Sequence, residues 1–275
     1  MNISEHTDQF IQEMRRRNFS ENTIRNYVSN IKMFFDWSKK DHPKNINESD
    51  IKNYLSRFTE PNTQGSHHSA IKKFYLICLN QPNKFKHIPY CRKDKKLPIV
   101  LSQDEIQQMF DVCENLKHKV ILALTYSCGL RVSELINLQW QHIDRSRMII
   151  NIIRAKGNKD RQVALPAAII PLLEKYYYHY HTKTYILDGQ FTDQYSETSV
   201  NQVMKQLAAK AGIKKRVYSH LIRHCTFTHM VESGTDINLI QRIAGHANVK
   251  TTMGYCHLSD NLISKVQSPI ASINL

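Results

Sequence analysis

Apolar residues in the first third of the chain recur every three to four positions, as they do on one face of a helix. Between Ser20 and Lys39 they stand at positions 24, 27, 28, 31, 34 and 35, and Ser20 is placed to cap this helix. The same pattern predicts an earlier helix over Ser4–Arg17, one capped by Ser49, and a fourth that begins after Gly65. Four short helices with basic outer faces predict a small bundle over residues 1–92.

The hydrophobic pattern then breaks. Residues 81–98 hold three prolines, no helical period and the charged run Arg92-Lys93-Asp94-Lys95-Lys96. This composition predicts an extended connection, with residues 93–97 as a basic linker between two domains. An ordinary solvated surface loop would explain the charges equally well.

A second domain is predicted over residues 98–275. Ser102 and Glu105 have the spacing of a capping box, and an apolar helix is expected over Val120–Ser127, before Gly129. Two β-rich runs, Met148–Arg154 and Arg161–Leu165, flank turn residues and predict a hairpin. The chain beyond them is again largely helical, so the predicted fold is mainly α with a small β-sheet: a four-helix N-terminal domain followed by an α+β domain.

Composition restricts the class of protein. Hydrophobic residues make up 41% of the 275, which is enough for a sizeable core. No apolar run could span a bilayer, and the first ten residues lack a signal-peptide pattern, so we expect a soluble, cytoplasmic protein without membrane contact. The six cysteines form no Cys-x-x-Cys pair and predict reduced, mostly buried thiols rather than a zinc site.

The charge balance points to a polyanionic partner. The chain has 38 Lys and Arg against 24 Asp and Glu, a formal net charge of +14. The first 98 residues hold 18 basic and 10 acidic side chains, and the rest hold 20 and 14. An excess in both parts suits a protein whose two domains both touch nucleic acid, although many basic proteins bind none. The candidate DNA-binding residues are Arg92, Lys93, Lys95 and Lys96.

Two segments offer cationic chemistry. Arg131 and Glu134 are three residues apart, so on a helix the carboxylate can orient the guanidinium; a surface ion pair is the alternative. Lys156 stands beside Gly157 at the predicted hairpin tip. There it could reach a phosphate or donate a proton, or it could simply be solvated.

Two further segments offer proton transfer and a nucleophile. His220 and Arg223 would project together from a helix towards a phosphate, whereas His220 with His224 has the spacing of a zinc pair but lacks the acidic partner of that motif. Gly245 is a candidate helix C-cap that leaves His246 at a break before Tyr255. A lone tyrosine is otherwise a core residue.

Together these side chains would form a phosphoryl-transfer site. Arginines would neutralise phosphate oxygens, a lysine and histidines would move protons, and a tyrosine would attack. The sequence has neither a phosphate loop for ATP nor an acidic cluster for magnesium. We therefore expect no metal and no cofactor.

The ordered set Gly-Leu-Arg-Val-Ser-Glu-Leu, Ala-Lys-Gly-Asn-Lys-Asp-Arg, His-x-x-Arg-His, Gly-His-x-x-x-x-Thr-Thr and Tyr resembles the tyrosine recombinase/phage integrase family. Its short Xer-like and integron-integrase-like members are most similar, and residues 1–92 resemble the family's SAM-like core-binding domain. The resemblance implies a site-specific DNA recombinase or integrase that cleaves and rejoins strands through a 3′-phosphotyrosyl link. Tyr255 would be the nucleophile, and Arg131 and Arg223 would clamp the scissile phosphate. Lys156 would be the general acid, His220 the proton acceptor, His246 a phosphate hydrogen-bond donor, and Glu134 their support.

The resemblance also implies partners. Four protomers would hold two DNA recombination sites at the nucleoid, with room for accessory DNA-bending proteins. Only 64 residues separate Lys156 from His220, which disfavours an integron-cassette role and favours a Xer-like or mobile-element enzyme. The tail Ser259–Leu275 could dock in trans or in cis through Leu262, Ile263 and Val266. The alternatives are a DNA-binding protein of this fold with reduced catalysis and a type IB topoisomerase-like relaxing enzyme.

Overall fold

A computed structural model describes residues 3–92, 99–155, 159–190, 192–246 and 248–256, with only the backbone at 154, 155, 159 and 256. The chain separates into two compact units, residues 1–96 and residues 97–275. Each unit has its own hydrophobic core.

Within residues 3–92, the first unit consists of four helices and two single 3₁₀ turns. The helices are α1 Ile3–Arg16, α2 Glu21–Ser38, α3 Glu48–Leu55 and α4 Pro61–Cys78. Ser20 caps α2 as predicted, because its hydroxyl accepts the Thr23 N–H. Two predicted starts are wrong. Asn47, not Ser49, caps α3, and α4 begins with Pro61, whose missing N–H costs nothing in the first helical turn.

Aromatic rings fill the core of this unit. Phe34 packs against Tyr54 with ring centroids 4.9 Å apart, and Phe35 packs edge-on against Phe74 at 5.2 Å. The segment after α4 is less extended than predicted: Pro82–Phe85 form a 3₁₀ turn that buries Phe85. The first residues of the predicted connection are therefore packed against the helical bundle through apolar side chains. The predicted linker, residues 93–97, lies outside the described residues.

The second unit surrounds two buried helices with further helices and one sheet. Its helices are α5 Gln103–Asp111, α6 Leu116–Cys128, α7 Val132–Ile136, α8 Ile170–Tyr180, α9 Glu197–Lys210, α10 Ser219–Glu232, α11 Ile237–Ala244 and α12 Val249–Cys256. Ser102 and Glu105 form the predicted capping box of α5. Helix α6 begins four residues before the predicted Val120, because Asn115 caps it. Helices α6 and α10 are largely buried, so they form a rigid base for the side chains between them.

The sheet of the second unit is small and antiparallel. Its strands β1 Ile143–Asp144, β2 Ile149–Ala155 and β3 Lys159–Ala164 lie in chain order. Ile150 pairs with Val163, and Ala155 pairs with Lys159 at the end of the predicted hairpin. The predicted fold class, mainly α with a small sheet, is confirmed. Among the helices of the described ranges, none is long and apolar enough to cross a membrane.

Candidate active site

The turn between α6 and α7 places the first arginine. Gly129 ends α6 with φ +57°, and a Cβ there would lie 2.7 Å from Cζ of Phe227, so this close turn requires glycine. Arg131 follows as the N-cap of α7. The Glu134 carboxylate accepts the backbone N–H of Arg131 at 2.8 Å and its guanidinium at 2.6 Å.

Glu134 also binds an arginine that the sequence analysis missed. Arg161, on β3, donates to the Glu134 carboxylate at 2.7 Å, and both side chains are less than a tenth exposed. Burial raises the pKa of Glu134, but Arg161 and Arg131 outweigh it and hold that pKa below its ordinary value. The sequence did contain a signal for this role. Arg161 stands two residues before the apolar Val163 on a predicted strand, so both side chains lie on the buried face of that strand.

The C-terminus of α11 brings three guanidinium groups together. The Ala244 carbonyl accepts from Arg131 at 3.1 Å and from Arg223 at 2.5 Å, and the Ile243 carbonyl accepts from Arg161. A helix C-terminus carries a partial negative charge, which favours cations there. Gly245 ends α11 with φ +62°, as the sequence predicts.

Arg223 is the most enclosed of the three. Its side chain is 1% exposed, its guanidinium also donates to the Gly129 carbonyl, and it lies 4.8 Å from the ring centroid of Phe227. Burial lowers the pKa of Arg223 to about 9, with repulsion from Arg131 and Arg161 acting in the same direction. The group is still a cation at neutral pH.

Tyr255 approaches this cluster from α12. It is 3% exposed, its ring stacks on that of His246 at 6.0 Å, and its hydroxyl oxygen lies 3.1 Å from Nδ1 of His224. Burial raises the pKa of Tyr255, while Arg223 and Arg131 act to lower it. A neutral phenol therefore lies in the field of two arginines.

The histidines divide into a partly buried pair, His224 and His246, and an exposed one, His220. Burial, followed by repulsion from Arg223, lowers the pKa of His246 to about 4, and its Nδ1 lies 3.0 Å from the Thr252 hydroxyl. His220 is exposed, with its ring centroid 4.4 Å from that of His224. The side chain at the Tyr255 hydroxyl is thus His224, which the sequence analysis considered only as a zinc ligand.

Some of the predicted residues lie outside the described part of the chain. Lys156, Lys93, Lys95 and Lys96 are among them, whereas Arg92 is described and exposed. Within the described ranges, no group of three or more His, Cys, Asp or Glu side chains could hold a metal ion.

Comparisons with known proteins identify a family for both units of the chain. Residues 100–261 match the Phage integrase family, and residues 7–84 match the Phage integrase, N-terminal SAM-like domain. Tyrosine recombinase XerD from Oceanobacillus iheyensis is 31% identical over 272 residues, which cover 88% of this chain and 90% of that protein. A tyrosine recombinase from Thermosipho africanus is 29% identical over 260 residues, covering 89% and 91%.

Solved structures show the same fold. The crystal structure of XerA recombinase is 28% identical with a TM-score of 0.57 and covers 95% of this chain and 96% of its own. A lambda integrase tetramer bound to a Holliday junction gives a TM-score of 0.78 at 14% identity, covering 93% and 77%. At that identity the second likeness concerns the fold alone.

Proposed function

This chain belongs to the phage integrase family, and from that premise we propose that it is a tyrosine recombinase that breaks and rejoins DNA at specific sites. The observation that carries the proposal is the assembly of Arg131, Arg223 and Tyr255 around the C-terminus of α11. These residues come from separate parts of the chain, and a core tyrosine needs no pair of guanidinium groups beside it.

In the proposed reaction, the Tyr255 oxygen attacks the scissile phosphorus. The bond from this oxygen to phosphorus forms as the bond to the 5′ oxygen breaks, which leaves a 3′-phosphotyrosine and a free 5′-hydroxyl. His220 takes the phenolic proton, and Lys156 protonates the leaving oxygen. Attack by another 5′-hydroxyl reverses the step, so the bond energy is retained and no ATP is needed. Arginines, rather than a metal, neutralise the phosphate in this proposal.

The arginines stabilise charge on the phosphate. Arg131 and Arg223 bind its nonbridging oxygens through fixed guanidinium donors, and His246 adds a hydrogen bond. Glu134 supports both by holding Arg131 at 2.6 Å and lying 3.8 Å from Arg223. Because Glu134 and the Ala244 carbonyl already hold these guanidinium groups, their orientation is set before DNA binds.

The proposed partners are double-stranded recombination sites and three further copies of the chain. Residues 1–92 would act as the core-binding domain, residues 93–97 as the linker with Arg92, Lys93, Lys95 and Lys96 on phosphates, and residues 98–275 as the catalytic domain. The tetramer on a Holliday junction formed by lambda integrase supports this assembly. Accessory DNA-bending proteins and action at the nucleoid belong to the same proposal.

The two alternatives are less well supported. A DNA-binding protein with reduced catalysis would not need Tyr255 and the arginines to remain assembled. A type IB topoisomerase-like enzyme would share the chemistry, but the match over residues 7–84 is to the N-terminal domain of phage integrases.

The replacement Tyr255→Phe tests the proposal. Phenylalanine keeps the ring that packs on Phe227 and His246 but lacks the attacking oxygen. We expect the variant to bind DNA almost normally and to form no covalent adduct on a nicked substrate that traps the wild-type intermediate. Denaturing electrophoresis, followed by mapping of the adduct peptide, measures this outcome without Mg²⁺ or ATP.

The experiment needs a DNA substrate and a control variant. DNA that flanks its own gene supplies candidate sites, and Tyr126→Phe removes the hydroxyl of another tyrosine of the second unit, which lies 2.8 Å from Nδ1 of His229. This control should still form the adduct. An adduct that persists in Tyr255→Phe would overturn the assignment of the nucleophile.

A further inference from the structure

His224 lies between the proposed nucleophile and the proposed proton acceptor. It follows His220 by one helical turn on α10, and α12 packs against α10 so that the Tyr255 hydroxyl lies 3.1 Å from its Nδ1. The two ring centroids are 5.6 Å apart. The family reaction described above assigns His224 no task.

The surroundings of His224 fix its protonation state. Burial, then the neighbouring His220 and Arg223, lower the pKa of its imidazole to about 4. Near neutral pH the ring is therefore uncharged and carries one nitrogen that can accept a hydrogen bond. Burial raises the pKa of Tyr255, so its hydroxyl keeps a proton to donate.

Among the described residues, the other contacts of Tyr255 are with its ring, so only the hydrogen bond to His224 sets the direction of the hydroxyl. Phe227 and His246 pack against the ring at 5.7 and 6.0 Å and set its plane. Ring packing does not determine where the phenolic hydrogen and the oxygen lone pairs point, whereas a hydrogen bond in the ring plane does.

We propose that His224 is a positioning residue for the nucleophile: its Nδ1 accepts the Tyr255 hydroxyl and holds the oxygen in the direction of attack. This inference rests on the proposed function. During the attack the phenolic hydrogen leaves this bond and passes to His220, the proposed proton acceptor, so His224 acts through Tyr255 and not on the phosphate.

The test compares polar and apolar replacements. Asparagine can place an amide atom near the position of Nδ1, glutamine carries its amide one bond further, and leucine has no such atom. We expect His224→Leu and His224→Gln to form the covalent adduct about 10- to 100-fold more slowly at saturating DNA. His224→Asn should recover most of the rate, and all three variants should bind DNA with wild-type affinity.

A matched control lies on the same helix. His229 also faces a tyrosine, with its Nδ1 2.8 Å from the Tyr126 hydroxyl and its Nε2 2.9 Å from the Leu101 carbonyl. His229→Asn should lower the unfolding midpoint without a selective loss of cleavage rate per folded molecule. This control separates positioning of the nucleophile from support of the core.

The outcomes separate the inference from the function on which it rests. If wild-type protein forms no adduct on any nicked site, the proposed function fails and the inference fails with it. If the wild type reacts and His224→Leu reacts equally fast, the inference alone is wrong. If the leucine variant does not fold, asparagine and glutamine decide: equal rates for these two contradict positioning, and a faster asparagine variant supports it.

Discussion

At the scale of single residues, Glu134 makes the arginine cluster possible. Three guanidinium groups in a nearly dry site would repel one another, but the Glu134 carboxylate lies 2.6 Å from Arg131, 2.7 Å from Arg161 and 3.8 Å from Arg223. Removing one partner of such a buried set leaves uncompensated charge, which costs about 3–5 kcal/mol. The carboxylate therefore stabilises the cations that the proposed reaction requires.

The partly buried histidines His224 and His246 predict a pH dependence of stability. The pKa values of His224 and His246 are lowered to about 4 in the folded protein, against about 6.5 in an unfolded chain. Well above pH 6.5 both states leave these rings neutral, so they contribute no slope. Between about pH 6.5 and 4 these histidines bind protons in the unfolded chain but not in the folded protein, so the free energy of unfolding falls as the pH is lowered.

Urea unfolding at pH 7.5, 6 and 5 measures this effect. Each of the two histidines should remove up to about 1.5 kcal/mol between pH 6.5 and 5, since one pKa unit corresponds to about 1.4 kcal/mol and the unfolded chain is only half protonated at pH 6.5. His246→Leu should make the fall shallower by that share. Glu134 adds little in this range, because its lowered pKa keeps it ionised. The same slope in the variant and the wild type would contradict the lowered pKa of His246.

At the scale of elements, signals that act within a few residues could be predicted and contacts across the fold could not. Ser20, the Ser102 box and Gly245 act on adjacent backbone, so the sequence shows them directly. Arg161 and His224 have roles that depend on residues 27 and 31 positions away. No local periodicity carries that information, and only the packing of β3 and α12 reveals it.

The end of α11 gives a prediction at the element scale. Gly245 has φ +62°, and a Cβ there would lie 2.7 Å from Cδ of Arg161. That side chain cannot easily move, because Glu134 and the Ile243 carbonyl hold its guanidinium. Gly245→Ala should therefore lower the free energy of unfolding by about 1–2 kcal/mol for the left-handed backbone, and by at least about 1 kcal/mol more for the clash.

Gly234 supplies the control for this prediction. It has φ +83° and would place a Cβ with no atom within 4 Å, so Gly234→Ala should show the backbone cost alone. Urea unfolding of both variants gives the difference, and adduct formation should slow only in Gly245→Ala, where the arginines shift. If both variants lose the same free energy of unfolding, the Arg161 side chain can move away from the new Cβ without cost, and the prediction is wrong.

At the scale of the whole molecule, the distribution of charge matters more than its total. The excess of basic residues is present before and after residue 98, and the exposed Arg92 ends the described part of the first unit. The chain also matches phage integrases in both units. DNA contacts are therefore expected from both parts of the chain rather than from one basic patch.

This distribution predicts strongly salt-dependent binding. Each phosphate that a Lys or Arg neutralises releases counterions, which gives a slope of log K against log[salt] of about −0.9 per contact on duplex DNA. With a net charge of +14 spread over two units, the slope should be several units.

The Tyr255→Phe variant is the protein to titrate, because it binds without forming the covalent link that would distort the equilibrium. Arg92→Ala should make the slope shallower by about one unit while leaving sequence preference unchanged. A slope near zero would mean that few phosphates are neutralised by Lys and Arg, which would contradict DNA contacts from both units even if Tyr255 cleaves as proposed.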